Sequence, residues 1–141
     1  MKKEPDYIWD EETGIAKCII YYKDQEFLGE AICHEDDQDM KNRMTGLQIA
    51  DARARLKYLR FIKNYEIKPA LAALKQLYYS MAHSKKFYKK TYENKMLYRQ
   101  IQNYTFDLDT INNEIATLRK SLSEYLIEKE HIYQVIRSKR Q

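Results

Sequence analysis

Basic and aromatic residues are interleaved in one stretch of the chain, and this pattern could bind nucleic acid. Lys and Arg side chains neutralise phosphates, and aromatic rings stack on exposed bases. A solvated helical face, with Tyr rings lying over neighbouring side chains, would have the same composition, and Tyr is also favoured at protein–protein contacts. The set, called the basic tip below, comprises Lys85, Lys86, Phe87, Tyr88, Lys89, Lys90, Tyr92, Lys95 and Arg99.

Two further charged sets could contact a partner. Residues 1–39 carry a net charge of −8, whereas residues 40–141 carry +12. An acidic segment could imitate phosphate charge and a basic helix could contact phosphate, so charge alone does not separate an acidic protein partner from DNA or RNA. The basic-helix set is Arg53, Arg55, Lys57, Arg60 and Lys63, and the acidic-head set is Glu35, Asp36, Asp37 and Asp39.

The sequence contains no recognisable catalytic or metal-binding motif. It lacks a Gly-rich phosphate loop, a His-Glu-x-x-His pair, a Cys-x-x-Cys pair and a Gly-x-Ser-x-Gly elbow. His34 lies among carboxylates, but one His with adjacent acids does not define a ligand set, and the calcium-loop pattern fails at its sixth and twelfth positions. We therefore expect a protein that is not an enzyme and holds no cofactor or metal.

The first secondary-structure elements predicted along the chain are β-strands. Residues 7–9 and 15–22 are rich in Ile, Tyr and other β-prone residues, and residues 26–34 resume the pattern after Lys23-Asp24-Gln25. This arrangement predicts a β-hairpin or a three-stranded antiparallel meander. Gly29 weakens the third strand and indicates either a bulge or a close backbone approach.

Long helices are predicted for the rest of the chain. From Thr45 onward the only Gly and Pro are Gly46 and Pro69, and Thr45 is a suitable N-cap. Pro69 either begins a second helix in its first turn or kinks a continuous one. An apolar stripe at helical spacing follows Leu47, Ala50, Ala54, Tyr58, Phe61, Tyr65, Leu71, Leu74, Tyr78 and Met81.

A heptad pattern dominates the last third of the chain. It predicts one helix of about 45 to 48 residues between Lys90 and Arg137. Folding the chain near residues 84–86 would produce an antiparallel helical hairpin, although a second chain could share the seam in a homodimer. The seam positions are Leu97, Ile101, Tyr104, Leu108, Ile111, Ile115, Leu118, Leu122, Tyr125, Lys129, Ile132 and Ile136.

These patterns together predict an α+β protein that is mainly α. A small N-terminal antiparallel hairpin or meander would precede a long, coiled-coil-like antiparallel helical hairpin. We divide the chain into an acidic β head with its linker at 1–39 and a basic long-helix hairpin at 40–141, forming one structural domain overall. With no transmembrane run, no signal segment and two cysteines, Cys18 and Cys33, we expect a cytoplasmic location away from membranes.

Two parts of the sequence carry a resemblance. Residues 27–37 (FLGEAICHEDD) with 45–54 (TGLQIADARA), and later 73–79 (ALKQLYY) with 92–97 (YENKML), resemble small uncharacterised proteins encoded by phages and prophages of Gram-positive bacteria. The resemblance covers most of the chain from about Gly14 onward and carries no functional residue with it. It implies a short cytoplasmic protein that regulates or inhibits a host system, of the anti-defence or anti-CRISPR type.

The sequence therefore leaves three functions open. The first is a phage accessory protein that binds a host protein or nucleoprotein stoichiometrically, for instance to inhibit a defence nuclease. The second is a direct DNA- or RNA-binding protein that uses the basic helices. The third is a structural coiled-coil protein whose seam serves assembly.

Overall fold

The computed structural model describes residues 4–32, 40–82 and 91–140. Three strands come first, β1 (Asp6–Asp10), β2 (Ile15–Tyr22) and β3 (Gln25–Ile32). They form one antiparallel sheet in the order β1-β2-β3, with Cys18 opposite both Tyr7 and Gly29. The predicted three-stranded meander is confirmed, and the molecule is mostly helical after it.

Both turns of the meander use positive φ angles. Gly14 has φ 70° and its amide donates to the Asp10 carbonyl at 2.8 Å, which closes the turn between β1 and β2. Lys23 has φ 53° in the two-residue connection between β2 and β3. Glycine adopts such angles readily, whereas Lys does so at a cost in conformational energy.

The first helix begins earlier than the sequence predicts. Helix α1 spans Met40–Phe61, so Thr45 lies inside it and is buried, and the prediction of an N-cap at Thr45 is wrong. No Gly or Pro interrupts residues 40–44, and a Thr can be accommodated within a helix because its hydroxyl can bond to the preceding turn.

A π-helical segment at Ile62–Ile67 separates α1 from α2 (Lys68–Ala82). The amide of Lys68 donates to the Lys63 carbonyl, five residues back, as a π-turn requires. Pro69 is the second residue of α2 and directly follows the π-turn, so it lies within a continuous helical stretch rather than at a free helix start. A π-turn holds more residues than an α-turn, so the buried face of the helix changes position along the sequence. Ile67 and Leu71 are buried, whereas Tyr65, predicted to lie in the apolar stripe, is 72% exposed.

Helix α3 spans Thr91–Arg140 and is 50 residues long, in agreement with the predicted single long helix. Burial follows the heptad pattern wherever side chains are described. The nine seam positions from Leu97 to Tyr125 are buried or half-buried, while the residues between them are exposed except Ser121, which is half-buried. The seam is therefore the inward face of α3.

The chain forms two compact units. The first contains residues 1–59 and 115–141, and the second contains residues 60–114. The predicted division at residue 39 and the predicted helical hairpin both stay predictions. In the described parts of the chain, no helix is long and apolar enough to cross a membrane.

The core of the first unit lies between one face of the sheet and α1. It is built from small residues, which let the two layers approach closely. A Cβ atom placed on Gly29 would lie within 2.5 Å of the Ala54 backbone nitrogen, so Gly29 marks a close backbone approach rather than a bulge. The core residues are Ala16, Cys18, Ala31, Ile49, Ala50 and Ala54, with Trp9, Ile20, Leu47, Leu122 and Tyr125 packed around them.

Candidate functional site

A hollow of about 380 Å³ in the second unit brings together basic, aromatic and amide side chains. Helix α2 contributes Tyr78, and α3 contributes the others. The Tyr78 and Tyr98 rings are 6.1 Å apart between centroids at an angle of 42°, and Tyr79 stands edge-on to Tyr78 at 6.0 Å. The lining residues are Tyr78, Lys95, Tyr98, Arg99 and Gln102, called the tyrosine–arginine hollow below.

Helical geometry places the α3 members of this hollow on one face. Lys95, Tyr98, Arg99 and Gln102 are spaced at three, one and three residues, so they occupy adjacent positions over two turns. Leu97 is buried beside them and anchors this part of α3. Tyr98, Lys95, Arg99 and Gln102 are exposed, so their charges and ring faces are accessible to a ligand.

The hollow contains two members of the predicted basic tip, Lys95 and Arg99. Tyr98 is one of the aromatic residues interleaved with those cations in the sequence, whereas sequence reasoning missed Tyr78 and Gln102. Gln102 could have been found from its spacing along α3, seven residues after Lys95. Tyr78 could not, because its position depends on how α2 packs against α3.

Most other members of the predicted sets lie elsewhere. Tyr92 is in α3, but its side chain is not among those described. The remaining residues of the basic tip and all of the acidic head lie outside the described residues, namely Lys85, Lys86, Phe87, Tyr88, Lys89, Lys90, Glu35, Asp36, Asp37 and Asp39.

The members of the basic-helix set make different contacts in the structure. Arg53 donates to the Glu30 carbonyl and Lys57 to the Leu28 carbonyl, each at 2.6 Å. Both carbonyls belong to β3, an edge strand of the sheet, so these two cations bind the protein's own backbone. The structure therefore assigns Arg53 and Lys57 a contact within the protein.

The third residue of that set, Arg55, belongs to a polar network on the sheet-facing side of α1. Its Nε donates to Asp51 Oδ2 at 2.9 Å, while the Tyr7 hydroxyl donates to Asp51 Oδ1 at 2.8 Å. The Cys18 thiol lies 3.7 Å from the same Oδ1 atom. Arg60 and Lys63 lie in the second unit, the first exposed and the second half-buried.

This network suppresses the reactivity of the thiol. Burial raises the pKa of Cys18 to about 11, and the Asp51 carboxylate adds to the shift. Burial and the bond to Asp51 also raise the pKa of Tyr7. A thiol that stays protonated near neutral pH is a poor nucleophile and a poor metal ligand. The network joins α1 to β1 and β2 through Asp51.

Comparison with protein-family models, curated proteins and solved structures finds no significant match. Within the described ranges, no three His, Cys, Asp or Glu side chains are grouped so that they could hold a metal ion. The tyrosine–arginine hollow combines positive charge with exposed aromatic surface, and it is the candidate site developed below.

Proposed function

We propose that this protein acts by stoichiometric binding, without catalysis, to a nucleic acid or a nucleoprotein. The observation that supports the proposal is the tyrosine–arginine hollow, where Lys95 and Arg99 converge with Tyr78 and Tyr98. Cationic side chains bind phosphate, and exposed aromatic rings accept bases by stacking. Single-stranded nucleic acid fits this combination better than a duplex does, since its bases are free to stack.

We infer that the second unit carries this site on an antiparallel helical hairpin, as the heptad pattern predicts. Two contacts support the arrangement. A hollow of about 410 Å³ lies between residues 62–67 and residues 104–111, while further along α2 Tyr78 contacts Tyr98. Later residues of the first segment thus meet earlier residues of the second, as in two antiparallel helices joined by a loop.

The resemblance to phage-encoded proteins supplies the biological setting of the proposal. In that setting the chain works in the cytoplasm of the host cell and inhibits a host system, with a defence nuclease as the favoured target. The nucleic acid held by such a nuclease would offer the phosphates and bases that the hollow could contact. A tagged pull-down from host lysate, with and without nuclease treatment, separates a protein target from a nucleic-acid target.

Charge reversal of the hollow tests the proposal directly. Lys95→Glu with Arg99→Glu should reduce affinity for a single-stranded oligonucleotide by at least tenfold, measured by fluorescence anisotropy. Wild-type binding should weaken steeply between 50 and 200 mM salt, because each phosphate contact releases counterions. Tyr98→Ala should also weaken binding, by about 1–3 kcal/mol, through the lost stacking contact.

A matched control comes from the same helix. Arg119→Glu with Lys120→Glu makes the same charge change at two exposed positions outside the hollow. This control variant should bind the oligonucleotide like the wild type, apart from a small effect of net charge. Equal loss of affinity in both double variants would show that binding follows overall charge and would reject the hollow as the site.

A further inference from the structure

The face of the sheet that points away from α1 carries five aliphatic side chains, five charged side chains and one Tyr. Strand residues alternate between faces, and since Cys18 and Gly29 face α1, their neighbours face outward. Ile8 is 45% exposed, Leu28 is 36% exposed and Ile32 is 64% exposed. The outer face consists of Asp6, Ile8, Asp10, Ile15, Lys17, Ile19, Tyr21, Glu26, Leu28, Glu30 and Ile32.

Both edges of the sheet are protected against the addition of another strand. Along β3, the carbonyls of Leu28 and Glu30 already accept hydrogen bonds from α1. On the other side, β1 carries Asp6 and Asp10 at its two ends. If β1 of a second copy paired antiparallel with β1 and was centred on Ile8, Asp6 of each copy would lie opposite Asp10 of the other. Like charges directly opposite each other destabilise strand pairing. The accessible apolar surface of the sheet is therefore its face.

One pair of opposite charges on that face can complement the same pair in a second copy. Lys17 and Glu30 are cross-strand neighbours at the centre, 3.9 Å apart, with nearly half of each side chain exposed. A two-fold axis parallel to the strands and between β2 and β3 would place each Lys17 over Glu30 of a second copy. The same rotation sets aliphatic residues on aliphatic residues, namely Ile19 over Leu28 and Ile15 over Ile32.

We propose that the outer face of the sheet binds a second copy of this chain, forming a face-to-face dimer of sheets. Under this rotation β2 and β3 overlap and β1 does not, so the two eight-residue strands cover only about 250 Å² in projection, from strand spacings of about 4.8 Å and rises of about 3.3 Å per residue. Stable interfaces bury about 800 Å² on each partner, so this dimer is weak and depends on concentration. The proposal is independent of the tyrosine–arginine hollow.

Analytical ultracentrifugation over a concentration series tests the dimer. The sedimentation coefficient of the full-length wild type should rise with concentration up to about 1 mM. Leu28→Lys places a charge against Ile19 of the other copy, and this variant should remain monomeric at all concentrations. Phe106→Lys, at a residue of α3 that is 69% exposed, is the matched control and should dimerise like the wild type.

Exchanging the charges of Lys17 and Glu30 provides a second test of the dimer, which is needed if Leu28→Lys fails to fold. Lys17→Glu alone places an acidic side chain over Glu30 of the second copy, and it should weaken dimerisation at least tenfold. Adding Glu30→Lys restores the complementary pair and should restore the dimer. The proposal is overturned if the wild type stays monomeric over the whole series, if Leu28→Lys dimerises normally, or if the double exchange fails to recover association.

Discussion

Gly29 sets how closely β3 approaches α1. A Cβ at this position would overlap backbone atoms of Ala50 and Ala54, and a backbone cannot move aside as a flexible side chain can. Gly29→Ala should therefore lower the free energy of unfolding by about 1–3 kcal/mol, the usual cost of overpacking. Urea denaturation measures the effect.

The neighbouring residue provides the control for this prediction. Glu30 faces outward, and its pair with Lys17 is long and solvent-exposed, so Glu30→Ala should cost about 0–1 kcal/mol. If Gly29→Ala proves as stable as Glu30→Ala, the sheet and α1 are not in close backbone contact.

The Cys18 thiol should make stability depend on alkaline pH. Its pKa is about 11 in the folded chain against an ordinary value of 9.0, so the folded state retains this proton between pH 9 and 11 while the unfolded state loses it. The contribution to stability is complete below pH 9 and is lost as the pH rises through 11. Urea midpoints at pH 8, 9, 10 and 11 should therefore fall for the wild type.

Cys18→Ala isolates this effect, because the other titrating groups remain. Tyr21, whose bond to Asp6 raises its pKa to about 12, titrates in both proteins. The decline in midpoint from pH 9 to 11 should be smaller in the variant than in the wild type. Identical slopes would show that the thiol proton is not coupled to folding.

The burial of the α3 seam predicts how substitutions on its two sides change stability. Ile115 is 7% exposed, whereas the adjacent Ala116 is exposed. Ile115→Asp should cost about 3 kcal/mol or more because it places a charge in an apolar contact. Ala116→Asp introduces the same carboxylate on the outer side of the helix and should cost less than about 1 kcal/mol.

Thermal denaturation followed by circular dichroism compares the two variants under identical conditions. Equal melting temperatures would contradict the assignment of the seam as the inward face of α3. Helix propensity alone would make Ala116→Asp the more costly change, because Ala is the best helix former, so a larger loss for Ile115→Asp reports burial.

Long-range periodicity explains why α3 could be predicted and parts of the earlier helices could not. Nine described seam positions reinforce one another in α3, so no local error changes the result. The start of α1 depends on a few residues near Thr45, and a single π-turn was enough to move Tyr65 out of the predicted stripe. Sequence spacing assumes a constant helical turn, and that assumption fails where the turn changes.

At the scale of the whole molecule, contacts between distant residues limited the prediction of function. Lys95 and Arg99 were identifiable because they belong to a dense local pattern. Arg53 and Lys57 belong to an equally basic pattern, but they bind carbonyls 23 and 29 residues earlier in the chain. Composition does not distinguish a cation that binds a ligand from one that binds its own backbone.

The hydrogen bonds from α1 to β3 also have a consequence for synthesis on the ribosome. Lys57 follows Leu28 by 29 residues, so β3 is complete before the residue that covers its edge has been made. At about 5–20 residues per second, translation leaves that edge uncovered for about one to six seconds. Nascent chains on one messenger could pair through it in that interval. Emergence of α1 ends this risk of aggregation.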